Sequence, residues 1–356
     1  MPASIKDIAR LAGVSYSTVS RALNNNPVVK RETAALIKKV ASDAGYAPNA
    51  VGRSLATGRT RTIGIIVTTI ADTFAAEIVA GIEAVAGENG FSVLLACSHA
   101  NPEREVSILR SFRENRVDGV VITASRVGTL YAQLMSEMKM PLVLVNHFSP
   151  GRFAQSVMID DVSGAREITQ HLINLGHRRI AYLGQQFGLQ SDTDRFSGYR
   201  QALTEADIPF EPRLLVHGNG KPLGAVAPME KLLSLPERPT AVFCYNDMSA
   251  LGALHVAVRR GFCVPRDISL VGFDDLFFSQ FIQPALTSLR QPTKTMGQEA
   301  AKILMKLLAG EQTEHLVVLK GELIIRSSTA RPADFADGDP RIQGLELHAV
   351  SRRQDS

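Results

Sequence analysis

The 356-residue chain has no Trp, three Cys and only 6% aromatic residues. Cys97, Cys244 and Cys263 are widely spaced within apolar or mixed runs. That excludes a disulfide framework or thiolate metal centre and suits buried thiols in a reducing compartment. The eight His show no metal-ligand spacing, so neither a metal nor another cofactor is expected. No apolar run is long enough to cross a membrane, and no signal peptide precedes Ser4; a soluble, cytoplasmic protein is expected. Catalytic signatures are missing as well. Ile65-Ile66-Val67-Thr68-Thr69 runs into Ile70-Ala71-Asp72 with no Gly-x-Gly-x-x-Gly. There is no phosphate-cradling Gly-rich loop, no nucleophile elbow and no His-Glu-x-x-His, so an enzyme is not expected.

What is present is unevenly distributed. Residues 1–62 hold ten Lys/Arg against three acids, a net of +7, which leaves −3 for the rest of a chain whose total is +4. A basic head on a mildly acidic body points to a polyanion as partner of the head alone. At 45% hydrophobic, the chain can bury a sizeable core, and its length suits two or three domains.

Within the head, Ser4 and Asp7 have the spacing of a capping box and start a helix. Gly13-Val14-Ser15 interrupts it after about two turns, and the Ser15 hydroxyl can cap a second helix. At roughly 100° per residue from Tyr16, Ser20, Ser17 and Arg21 fall on one polar arc. Val19, Ala22 and Leu23 fall on the other, free to pack on the first helix. This is the helix-turn-helix pattern of a DNA reader; the alternative is a small amphipathic hairpin with a solvated face. Arg21 can pair bidentately with guanine, while Ser and Tyr can bond base edges or phosphates. After the turn cluster Asn24-Asn25-Asn26-Pro27, a third helix is predicted near 31–44, ended by Gly45. Residues from Pro48 to Ala56 form either a short helix or a plain linker.

The body alternates apolar runs with amphipathic stretches. Strands are predicted at Ile63–Thr68, Ser92–Ala96, Gly119–Thr123, Leu142–Asn146, Arg179–Leu183, Ala241–Tyr245 and Ser269–Phe273, and near 315–326. Asp160 and Asp161 end another. Helices are predicted near 75–89, 103–115, 129–138, 162–175, 195–206, 224–233, 247–260 and 295–309. Such alternation means α/β architecture with doubly wound parallel sheets, in two lobes with a ligand between them at the carboxyl ends of the strands. Beyond Pro332 a disordered tail is expected.

These residues reach a family. Ile5-Lys6-Asp7-Ile8-Ala9, Val14-Ser15, Thr18-Val19-Ser20-Arg21 and Gly45-Tyr46-x-Pro48-Asn49 resemble the headpiece and hinge of the lactose/galactose repressor family. Ile63-Gly64, Val117-Asp118-Gly119, Gly176-His177-Arg178-Arg179-Ile180, Phe243 to Asp247, Val264-Pro265, Val271-Gly272-Phe273-Asp274, Pro284-Ala285-Leu286-Thr287 and Gln291-Pro292 resemble its regulatory core, which is similar to periplasmic sugar-binding proteins. The resemblance covers about residues 4–331.

It implies a homodimer on a near-palindromic operator, with a headpiece at 1–47 and a hinge at 48–62. The two-lobed core would take 63–161 with 292–323 and 162–291 with 324–331. It also implies DNA contacts from Tyr16, Ser17 and Arg21, with Ser15, Thr18, Asn24, Asn49 and Arg53, and a minor-groove wedge at Leu55. Gly52 departs from the helix-favouring residue often found there. In the core, Arg195, Asn246, Asp274 and Gln291 match positions that contact effector in sugar-responsive members, and Phe74 matches a pocket wall. Arg195 is expected to open a helix. Asp274 and Asn246 are open to a capping role, Phe74 to a core role, and Asp160 and Asp161 either border the cleft or cap a helix. Asp247 is expected to cap the following helix and support the cleft. Leu189 stands where the purine-responsive branch places Arg, which argues against a purine corepressor. The implied function is repression of a carbohydrate or sugar-acid operon under control of a small effector. Ile342, Leu345, Leu347 and Val350 do not sustain a heptad, so a dimer is preferred to a tetramer.

Overall fold

In the computed structural model, which describes residues 3–23, 26–46, 58–123, 140–147 and 154–333, three helices build the amino-terminal unit. They are α1 (Ile5–Ala12), α2 (Tyr16–Leu23) and α3 (Arg31–Asp43). The capping box at α1 is complete: Asp7 N donates to Ser4 Oγ at 3.3 Å and Ser4 N donates to Asp7 Oδ2 at 3.0 Å. Gly13 ends α1 at φ 64°, a left-handed conformation that costs glycine nothing. Ile8, Ala9, Val19, Ala22, Ile37 and Ala41 close the core between the three helices.

The body continues β1 (Thr62–Val67), α4 (Thr73–Glu88), β2 (Ser92–Cys97), α5 (Pro102–Glu114), β3 (Gly119–Thr123), β4 (Leu142–Val145) and β5 (Gln155–Ile159). Next come α6 (Asp161–Asn174), β6 (Ile180–Gln185), α7 (Gln190–Glu205), β7 (Leu215–Gly218), α8 (Pro222–Leu233), β8 (Ala241–Cys244), α9 (Asp247–Arg259) and β9 (Ser269–Asp274). The series ends with β10 (Thr287–Arg290), α10 (Thr293–Ala309), β11 (Leu316–Leu319) and β12 (Glu322–Ile324). Two six-stranded sheets result, ordered β11-β5-β4-β3-β1-β2 and β12-β10-β9-β8-β6-β7. Every pairing is parallel except β10 with β12. Fully buried runs such as Gly119–Thr123 are what helices on both faces of a parallel sheet demand.

The chain crosses between the sheets after β5, after β10 and after β11. The last crossing falls at Lys320–Gly321, ahead of the expected boundary at 323/324, because Leu323 already pairs with Leu289. β7 and β10 are absent from the predicted strands; each spans four residues of mixed polarity and becomes a strand only beside its neighbours in the sheet. The helix expected at 129–138, hinge residues 48–57 and the chain beyond 333 lie outside the described residues.

In the first lobe, α4 and α10 meet backbone to backbone. A Cβ added at Gly81 would stand 2.2 Å from Lys294 O, and one at Gly297 would stand 2.1 Å from Ile78 O. This contact fixes α10, the element that follows the crossing at Gln291, against the helix that follows β1.

Candidate functional site

Two surfaces carry the predicted functional residues. On the headpiece, Val14 N donates to Ala9 O, which closes the turn and sends α2 off at an angle. Ser15 caps α2: Thr18 N donates to its Oγ at 3.2 Å, and the Ser17 and Thr18 hydroxyls each lie 2.8 Å from that oxygen. Val19 and Ala22 are buried, whereas Tyr16 is 64% exposed and Arg21 is exposed on the opposite side. Ser17 is half-buried with its hydroxyl held by Ser15. Asn24, Asn49, Arg53 and Leu55 lie outside the described residues.

The second surface lies between the lobes, at the carboxyl ends of the strands. Arg195 stands in the second turn of α7 and does not open it; the helix already begins at Gln190. From there the guanidinium reaches inward and is 3% exposed. Its Nε donates to Asp161 Oδ1 at 2.7 Å, its Nη1 donates to Tyr245 O at 2.6 Å, and Nη1 lies 3.9 Å from Asp274 Oδ1. The rings of Phe273 and Tyr245 lie 3.6 Å and 4.7 Å from it, giving it cation–π support. Burial works against its charge, yet Asp161, Tyr245 and Asp274 together raise its pKa.

Asp274 closes β9 at φ 115°, and Asp275 follows at φ 56°. Neither conformation suits an L residue, so the turn needs outside support. Asp247 supplies it. Its Oδ2 accepts from Leu276 N at 2.7 Å and Ser279 Oγ at 2.6 Å, and its Oδ1 accepts from Ser288 Oγ at 2.5 Å. The expectation that Asp247 caps its own helix is corrected: Asn246 is the cap, accepting from Ser249 N at 2.9 Å, and the Asn246 amide also donates to Gly220 O at 3.1 Å. Gln291 Nε2 donates to Asp274 Oδ1 at 2.7 Å across the second crossing. Burial pushes the Asp274 carboxyl well above the usual range, with Arg195 pulling it back and Asp247 and Asp72 pushing the same way as burial.

Arg195, Asp274 and Gln291 thus come together. Asp160 caps α6, accepting from Ser163 N at 2.9 Å, and also borders a cavity of 480 Å³ with His147, Asp161, Gln190 and Asp194. Phe74 is half-buried against the first-lobe core. Just before it Asp72 caps α4, and burial raises its pKa. Leu189 precedes α7 as its extended N-cap residue. Sequence reasoning offered Asp161 only as a cleft-border or capping residue and missed Tyr245 and Phe273 as partners of Arg195. The latter two were visible as the residues just before Asn246 and Asp274, but nothing local marks an ion pair 34 residues apart.

Residues 4–49 match the bacterial regulatory proteins of the lacI family, and residues 169–329 match the periplasmic binding protein-like domain. The transcriptional repressor CytR of Escherichia coli strain K12 is 36% identical over 330 residues, covering 92% of this chain and 96% of CytR. The Lac repressor dimer bound to operator and the anti-inducer ONPF aligns with a TM-score of 0.83 at 27% identity, covering 93% of this chain and 100% of that one. The transcriptional regulator CelR in complex with cellobiose aligns with a TM-score of 0.71 at 32% identity, covering 92% and 99%. With a helix-turn-helix headpiece, a two-lobed core and relatives alike along almost the whole chain, the protein belongs to the lacI family of DNA-binding transcriptional repressors, which are regulators and not enzymes.

Proposed function

We propose that the protein represses a carbohydrate or sugar-acid catabolic operon and releases or holds its operator according to a small effector bound between the lobes. The observation that carries this reading is the buried Arg195–Asp274–Gln291 set, which lies where the chain crosses between sheets. A guanidinium, a carboxylate and an amide suit the paired hydroxyls of a sugar. The CelR neighbour, with its cellobiose, supports the same ligand class. In this reading Arg195, Asn246, Asp274 and Gln291 meet effector, with Phe74 and Asp160 at the margins. Ser15, Tyr16, Ser17, Thr18 and Arg21 meet DNA in the major groove, joined by Asn24, Asn49 and Arg53, and Leu55 wedges the minor groove.

The working unit is a homodimer in the cytoplasm on a near-palindromic operator. Exposed apolar residues support self-association: Leu94 and Leu95 on the edge strand β2, and Phe277 and Phe281, whose rings lie 4.8 Å apart. Effector favours one relation of the lobes over another, and DNA affinity follows to the extent that its affinity for the two states differs. The test is thermal unfolding of the full chain against sugars, sugar acids, sugar phosphates and nucleobases. A ligand at about one hundred times its Kd stabilises by roughly 2.7 kcal/mol. Stabilisation by nucleobases alone overturns the carbohydrate reading.

A further inference from the structure

We propose, taking the interlobe cleft as the effector site, that it admits an uncharged molecule bearing vicinal hydroxyls and rejects sugar acids and phosphorylated sugars. Arg195 is the one buried Lys or Arg among the described residues. Its charge is already met by Asp161 at 2.7 Å and Asp274 at 3.9 Å. Other carboxylates reach the same space. Asp72 acts on Asp274 across the lobes, Asp160 and Asp194 act on Asp161, and Asp192 feels Arg195. Lys221, which acts on Asp72, is a further cation there among the described residues. Among the described residues, an anionic ligand entering this space finds the buried guanidinium of Arg195 already paired, with Lys221 exposed beside Asp72, and meets several carboxylates in a poorly solvated site.

Unused hydrogen-bonding capacity agrees. Gln291 is 3% exposed, and because its Nε2 must donate to the Asp274 carboxylate, its Oε1 is left buried without a partner. Asn146 Oδ1, just past β4, is buried and unpartnered as well. These oxygens, like the carboxylates, need donors. Phosphate and carboxylate groups at neutral pH bring acceptors only, whereas each hydroxyl brings a donor and an acceptor. Gln185 Nε2, at the end of β6, is an unpaired donor suited to an oxygen of the same hydroxyls. Buried polar atoms left unpaired are rare enough in folded proteins to mark a place where a ligand or water completes them.

Vicinal hydroxyls belong to free sugars and to the ribose of nucleosides, and the test separates the two. Calorimetric titration of the full chain uses matched sets: glucose with gluconate and glucose 6-phosphate, ribose with ribose 5-phosphate, cellobiose with cellobionate, and adenosine and cytidine with their 5′-monophosphates. The expected binder is a neutral member, with its charged counterpart at least about tenfold weaker. Its set says whether the diol comes from a sugar or a nucleoside. A charged member that binds as tightly as its neutral counterpart, or more tightly, overturns the inference and leaves the cleft as effector site. A ligand whose affinity is unchanged in both Asp274→Ala and Gln291→Leu, each checked for native Tm, overturns the cleft itself.

Discussion

Arg195 Nε and Asp161 Oδ1 lie 2.7 Å apart with both side chains 3% exposed, so the residue that follows the first crossing is tied to the strand ends of the second lobe. A buried pair of this kind is costly to break from one side, because the partner left behind is an uncompensated charge. Arg195→Ala is expected to destabilise by about 3–5 kcal/mol, and Arg195→Met with Asp161→Leu to recover most of that loss. Urea unfolding of the two variants checks this; equal losses would show that the pair matters only through packing.

Two buried groups give the stability opposite pH slopes. Burial pushes the Asp247 carboxyl from 3.8 up to about 6. The folded state therefore binds that proton more tightly, and the contribution is full below pH 3.8 and is lost as pH rises through about 6. Burial pushes His177 from 6.5 down to about 4, and the neutral ring bridges Thr240 Oγ1 and Ala330 O, each at 2.9 Å. Its contribution is present above pH 6.5 and lost as pH falls through about 4. Taken by themselves, these two contributions oppose each other between these limits. Relative to wild type, Asp247→Asn should shift the balance toward loss at acid pH and His177→Gln toward loss at neutral pH, each readable by urea unfolding at pH 4.5 and 7.0 (the two pH values being roughly the ends of the window).

Arg21 is exposed on the outward face of α2. If it reads a base edge, Arg21→Ala relaxes preference at one operator position by roughly 1–3 kcal/mol. Binding assays on an operator mutated position by position would show this. Uniform weakening across all sequences would assign Arg21 to the phosphates instead.

Gly297→Ala places a methyl 2.1 Å from Ile78 O, where backbone and not a flexible side chain must yield. The α4–α10 contact is expected to open at a cost of about 1–3 kcal/mol, the range of overpacked cores. Thermal unfolding measures the loss. Gly87→Ala, where the nearest atom is the Glu83 side chain at 3.9 Å, is the control that should leave Tm near wild type.

Much of this protein is legible in short stretches because the forces concerned act over short stretches. Ser4 with Asp7, Gly13 and Ser15 declare the two headpiece helices, since a cap and its helix lie within a few residues of each other. Apolar runs alternating with amphipathic ones declare parallel sheets, since a strand covered on both faces has no polar side to show. The residues that line the cleft were visible as polar groups after apolar strands. What they do there was not. Asp160 and Asn246 spend their oxygens on helix caps, and Asp247, 41 residues from Ser288, secures the Asp274 turn instead of a cap. β7 and β10 exist because neighbouring strands offer hydrogen bonds that their own residues do not announce. Which carboxylate neutralises Arg195, and that Gln291 spends its amide nitrogen on Asp274 and leaves its oxygen free, depend on the order of strands in a sheet. Burial and long-range pairing set that order, so only the tertiary structure could decide it.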